Sequence, residues 1–204
     1  MRAEPLPRVR TAVLISGRGS NLASLMTAAA APDYPCEIVL VLSNQPTAGG
    51  LALAAQAGIP ALAIDHRPFA GDREAHERAL DAALREAGVE LIALAGYMRV
   101  FTPWFTTAWA GRMINIHPSL LPHFPGLDTH ARAIAAGHAN GGCTVHWVTA
   151  EVDGGAMIAQ AEVPILADDT PETLSARVLT AEHALYPEAL AQAAKRMRTK
   201  PLSP

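Results

Sequence analysis

The sequence predicts an α/β fold: an open, mostly parallel, doubly wound sheet with an antiparallel C-terminal portion and a long C-terminal helix. Three observations lead there. Apolar, strand-like runs alternate with Ala-rich helical stretches through the N-terminal half, the rhythm of βαβ units. The near-continuous Val, Leu and Ile in those runs predicts strands covered on both faces. Beyond Gly96 the rhythm changes, and two further strand-like runs flank an Asp-Gly-Gly turn, which reads as an antiparallel hairpin.

Taken in order, strands are expected over residues 11–16, 37–43, 61–65 and 90–95. Between them, 22–31, 50–57 and 73–87 carry apolar residues at helical spacing, with Gly58 and Gly88 as stop signals. A strand over 112–117 then leads into a Pro-rich loop, 118–125, and a helix near 129–136. The hairpin strands are 144–149 and 156–164, around Asp153–Gly155. A last helix opens on Thr170-Pro171-Glu172-Thr173 and runs towards Met197, with proline where the first helical turn tolerates it. This is a Rossmann-like pattern. No repeat or linker divides the 204 residues, so one domain is expected. Within it two functional halves are expected, about 10–110 and about 111–197, with a tail at 198–204.

Composition narrows the class. The apolar runs fall short of the roughly 20 residues of a membrane span, and Arg2, Glu4, Pro5 and Pro7 stand where a secretory signal would be apolar. A soluble, cytoplasmic protein with no membrane partner is expected. Cys36 and Cys143 form no C-x-x-C pair and read as reduced structural thiols. A net charge of −3 gives no basic surface for nucleic acid. The run Lys195, Arg196, Arg198, Lys200 reads as a solvated, frayed tail. The eight histidines include no H-E-x-x-H pattern, so no metal is expected.

Two places carry candidate chemistry. The first strand ends in Ser16-Gly17-Arg18-Gly19-Ser20-Asn21-Leu22, where backbone N–H groups at a helix start can hold a phosphate. A plain β-to-α turn with Ser20 as N-cap accounts for the same residues. The spacing is neither the dinucleotide fingerprint nor the Walker loop, which leaves a phosphate monoester as the better ligand. Further on, Asn115-Ile116-His117 closes a strand, and alternation sends Asn115 and His117 to one side, at the sheet edge where α/β proteins bind ligands. A carboxylate beside such a histidine favours the imidazolium. Asp153, followed by two glycines, is the leading candidate, although an ordinary turn also explains Asp-Gly.

These segments resemble the folate-dependent formyltransferase family, and within it the phosphoribosylglycinamide formyltransferases. The resemblance rests on Ser16-Gly-x-Gly-Ser-Asn-Leu22, Ala95-Gly-Tyr-Met-Arg99, Asn115-Ile-His-Pro-Ser-Leu-Leu-Pro122, Asp153-Gly-Gly155 and Glu182-His-x-x-Tyr-Pro187. It covers nearly the whole chain. It implies 10-formyltetrahydrofolate as co-substrate and phosphoribosylglycinamide as acceptor in purine biosynthesis, both small molecules, used by a monomer or homodimer. It also implies that Gly19, Ser20, Asn21, Leu22 and Glu182 hold the ribonucleotide. Arg73, Met98, Arg99, Val100, Phe101, Thr149 and Val152 would line the folate pocket, and Asn115, His117 and Asp153 would be catalytic. One departure stands out: Asp128 occupies a place where relatives often carry histidine. The implied chemistry is attack of an amine on the formyl carbon, with Asn115 and protonated His117 meeting the oxyanion and Asp153 orienting the ring. A folate hydrolase using the same three residues, and a phosphate-binding module with no catalysis, are the alternatives.

Overall fold

Strand β1 (Val9–Ile15) is apolar on both sides because it lies in mid-sheet. Val9, Val13 and Ile15 face one packing layer, and Ala12 and Leu14 face the other. The computed structural model describes residues 7–199. After β1 come α1 (Ser20–Ala29), β2 (Cys36–Ser43), α2 (Gly49–Gln56), β3 (Ala61–Ala63), a 3₁₀ turn (Arg67–Phe69), α3 (Arg73–Glu86) and β4 (Leu91–Leu94). Then follow α4 (Pro103–Ala108), β5 (Met113–His117), α5 (Thr129–Ala135), β6 (Asn140–Trp147), β7 (Met157–Pro164) and α6 (Pro171–Thr199).

The seven strands run in the order β3-β2-β1-β4-β5-β6-β7. Pairing is parallel from β3 to β5 and antiparallel from β5 to β7. The order reverses direction between β1 and β4, and the loops after those two strands therefore diverge to leave a crevice at the sheet's carboxyl edge. One core layer packs Leu22 and Leu25 of α1 and Tyr186 and Leu190 of α6 on the sheet; the other packs Leu80 and Leu84 of α3 with Phe105 and Trp109. Each fully buried Leu or Phe contributes about 1.5–3 kcal/mol.

Four sequence expectations need correction. β3 is a three-residue edge strand with Leu62 46% exposed, so coverage of both faces fails there. β6 begins at Asn140 rather than 144, because Gly141 and Gly142 continue the ladder against Val163 and Glu162. α4, opened by Thr102 and Pro103, was not anticipated. The basic run up to Arg198 is not a frayed tail: α6 continues to Thr199, Arg198 pairs with Glu90 at 2.7 Å, and Arg196 lies over the Trp147 ring. Lys200 and the rest of the expected tail lie outside the described residues.

α6 is fastened across the sheet by the fully buried Tyr186, whose hydroxyl donates to the Leu94 carbonyl at 2.8 Å. Tyr186→Phe removes that bond while keeping the ring, and is expected to lower stability by about 1 kcal/mol, measured by urea unfolding.

Candidate functional site

β5 places Ile114 and Ile116 in the α1/α6 layer and Met113 in the opposite layer, so alternation carries Asn115 and His117 to Met113's side. Antiparallel pairing then sets His146 of β6 directly opposite Asn115. Asn115 Nδ2 lies 3.3 Å from His146 Nε2, and His146 Nδ1 donates to the Trp147 carbonyl at 3.0 Å.

The connection between β6 and β7, residues 148–156, folds back over this pair. It needs its glycines: a Cβ on Gly155 would sit 1.7 Å from the Trp147 carbonyl oxygen. Asp153, at φ 54°, is turned inward by that bend. Its Oδ2 lies 3.3 Å from His117 Nδ1 and its Oδ1 lies 3.5 Å from His146 Nε2. Oδ2 also accepts the Gly126 N–H at 2.9 Å. Burial acts to raise the Asp153 carboxyl, but the His146 ring, the Gly126 amide and the charges of both histidines outweigh it and hold the group below its ordinary 3.8. The other ring nitrogen of His117 faces the Phe124 carbonyl at 3.1 Å. Both nitrogens therefore meet acceptors, the arrangement a doubly protonated ring satisfies.

Asn115, His117, His146 and Asp153 lie in the wall of an open cavity of about 730 Å³, within the usual size of small-molecule sites. Met98, Arg99, Val100 and Phe101, after β4, form one side, and Thr149 and Val152 join from the 148–156 connection. Met98, Val100, Leu127 and Val152 are exposed, an apolar rim of the kind that marks a binding surface. His130 also lines the cavity; burial first, and then the His117 charge, push its ring down in pKa.

The glycine loop stands apart from this cavity, at the carboxyl end of β1. Gly19, at φ 84°, is the N-cap of α1, and no side chain caps that helix, so Ser20 is not its cap. A Cβ on Gly19 would come 2.8 Å from the Gly50 Cα, so the loop is glycine by packing as well as by dihedral. Asn21 Nδ2 donates to Glu182 Oε2 at 2.7 Å, inside the protein. Burial raises the Glu182 carboxyl, and the Asn21 bond opposes that rise. Asn21 Oδ1 has no hydrogen-bond partner among the described residues.

Some expected residues sit elsewhere. Leu22 is wholly buried in the α1 core, with its side chain turned away from the loop's surface. Arg73 is the exposed first residue of α3 and is not among the cavity's lining residues. Asp128 lines the cavity from an αL position before α5 without capping that helix. His146 was missed, since only the β5/β6 register, invisible in the chain, sets it against Asn115; its spacing of two from Thr144 was the one available signal.

A doubly wound sheet that holds an Asn-His-Asp cluster beside an apolar cavity, at the carboxyl ends of β4 and β5, defines an enzyme-like class, and comparison assigns it. The formyl transferase family profile matches residues 9–190, and the chain belongs to that family. It is 46% identical over 178 residues to the phosphoribosylglycinamide formyltransferase of Haemophilus influenzae, covering 87% of this chain and 84% of that protein. It is 50% identical over 186 residues to the trifunctional purine biosynthetic protein adenosine-3 of Drosophila melanogaster, covering 90% of this chain. The chain spans only 14% of the length of that larger relative. The crystal structure of phosphoribosylglycinamide formyltransferase from Brucella melitensis superposes with a TM-score of 0.87 at 52% identity, covering 92% of this chain and 96% of that one.

Because Asp153 is held below its ordinary value in the folded protein, its charge stabilises the fold above that value, and this contribution is lost as the pH falls through the lowered one. In urea titrations the stability gap between wild type and Asp153→Asn is expected to narrow as the pH falls below about 4. A gap unchanged by acid would contradict the assigned contacts.

Proposed function

We propose that this chain transfers the formyl group of 10-formyltetrahydrofolate to the amine of 5′-phosphoribosylglycinamide, a step of purine biosynthesis carried out in the cytoplasm. The observation that carries this reading is the gathering of Asn115, His117 and Asp153 at the wall of an open, apolar cavity, in a member of the formyl transferase family. The cavity suits a flat heterocycle with an acidic tail: its rim is apolar, and Arg99 there makes no ion pair among the described residues. The glycine loop offers backbone donors for the ribonucleotide phosphate, with the Asn21–Glu182 pair beside it for the polar remainder.

In the reaction the amine nitrogen attacks the formyl carbon, and the carbonyl electron pair moves to oxygen. Collapse of this tetrahedral centre breaks the bond to the folate nitrogen, which takes up the proton the amine gives off, with water as the carrier. The Asn115 amide, beside His146 in the cavity wall, meets the oxyanion directly. His117 is the second donor. Its Nε2–H is held by the Phe124 carbonyl and its Nδ1 faces Asp153, so it reaches the oxyanion only as the 118–126 loop gives up the Phe124 contact. This kind of loop adjustment accompanies substrate closure in many enzymes. Asp153 keeps the ring oriented throughout.

The test is a two-substrate assay that follows formylated ribonucleotide and free formate separately. Formylated product that requires the ribonucleotide is expected; formate released equally without it would assign a hydrolase instead. His117→Ala at saturating substrates is expected to lower kcat by about 10²–10³, and near-normal turnover would remove His117 from this role. Asn21→Ala is expected to raise KM for the ribonucleotide by about tenfold or more, with little change in KM for the folate, through loss of a charge-assisted contact.

A further inference from the structure

Ser16 is the last residue before the glycine loop, and its contacts run sideways to the next strand's loop. Its N–H donates to the Gly96 carbonyl at 3.1 Å. Its hydroxyl accepts the Met98 N–H at 2.8 Å and donates to Asn44 Oδ1 at 2.6 Å. Asn44 is 2% exposed, and its Nδ2 lies 3.3 Å from His66 Nδ1. The hydroxyl is therefore aimed by a buried amide on one side and spent on a backbone amide on the other.

The amide it holds belongs to the stretch 98–101 that lines the cavity. Side-chain packing holds Tyr97, which is buried and stacked on Phe101 at 5.3 Å, but not the residues on either side of it: the Met98 side chain is 71% exposed, and Gly96, at φ 74°, has nothing among the described residues within 4 Å of where a Cβ would be. On its other side Ser16 continues into Gly17, whose carbonyl accepts the Gly50 N–H at 3.1 Å, so the residue that Ser16 is bonded to anchors the root of the loop that offers phosphate donors.

We propose that Ser16 is a positioning residue for the folate: its hydroxyl fixes the backbone of Met98, and so sets one wall of the folate cavity in register with the phosphate loop. The identity of the ligand rests on the function proposed above. Loss of the hydroxyl leaves the Met98 amide and the buried Asn44 oxygen without their partner, and the wall loses its fixed place while the Asn115, His117 and Asp153 cluster, on β5 and beyond, keeps its own.

The experiment uses the full chain as wild type, Ser16→Ala, Ser16→Cys and Ser16→Thr, with tetrahydrofolate as the calorimetric probe and steady-state kinetics in both substrates. Ser16→Ala is expected to weaken tetrahydrofolate binding and raise KM for 10-formyltetrahydrofolate by about tenfold, with kcat within about threefold of wild type, the scale of one lost hydrogen bond. Ser16→Thr, which keeps the hydroxyl, is expected to restore both, and Ser16→Cys, with a poorer acceptor, to fall between; the Cys and Thr chains decide the matter if the Ala chain does not fold. Wild-type folate binding in Ser16→Ala, or equal losses in Thr, Cys and Ala, would overturn the role of Ser16 alone. A wild-type chain that binds no tetrahydrofolate would overturn the functional reading and this role with it.

Discussion

One half-buried carboxylate organises the site. Asp153 meets His117, His146 and the Gly126 amide at once, and those partners come from β5, β6 and the loop after β5. An ionised group in such a place is tolerable only when its oxygens are fully engaged, and here donors surround it. The contact works in both directions: the carboxylate keeps its charge because the rings and the amide face it, and the rings keep their orientation because the carboxylate does. The Asn115 amide is held in turn by His146, so the polar cluster is set as a unit rather than residue by residue.

The sheet explains why that unit lies beside a cavity. The change from parallel to antiparallel pairing at β5/β6 brings the 148–156 connection to the same edge as the loops after β1 and β4. Helices on both faces bury the central strands β1, β4 and β5 up to that edge. The phosphate loop and the 98–101 wall flank the switch point, where doubly wound folds bind ligands. A transfer reaction needs two substrates brought face to face, and this edge offers two adjacent surfaces of different chemistry: backbone amides after β1 and apolar side chains after β4.

Much of this was legible in the chain, for identifiable reasons. Parallel strands buried on both faces leave apolar runs, and β1, β2 and β4 were placed within a few residues. Asn115 and His117 could be paired because strand alternation is a period of two, and Asp153 could be suspected because two glycines free its turn. What escaped depends on contacts between distant segments. Leu22 sits in the motif of the phosphate loop yet faces the core, since α1 must bury one face. Arg73 begins a helix that points it to solvent. Strand β6 begins four residues before its expected start, at Asn140, because Gly141 and Gly142 pair with β7 where a Cβ would crowd the Leu174 and Leu120 side chains. His146 belongs to the cluster only through a register that no local pattern encodes.

The central claim is that Asp153 and His117 act in the transfer as one unit. A double-mutant cycle in single-turnover formyl transfer tests it directly, because residues acting as one unit are strongly non-additive. The account predicts that a chain carrying both His117→Ala and Asp153→Asn is no slower than His117→Ala alone. Losses that multiply in the double variant would show two independent contributions and contradict it.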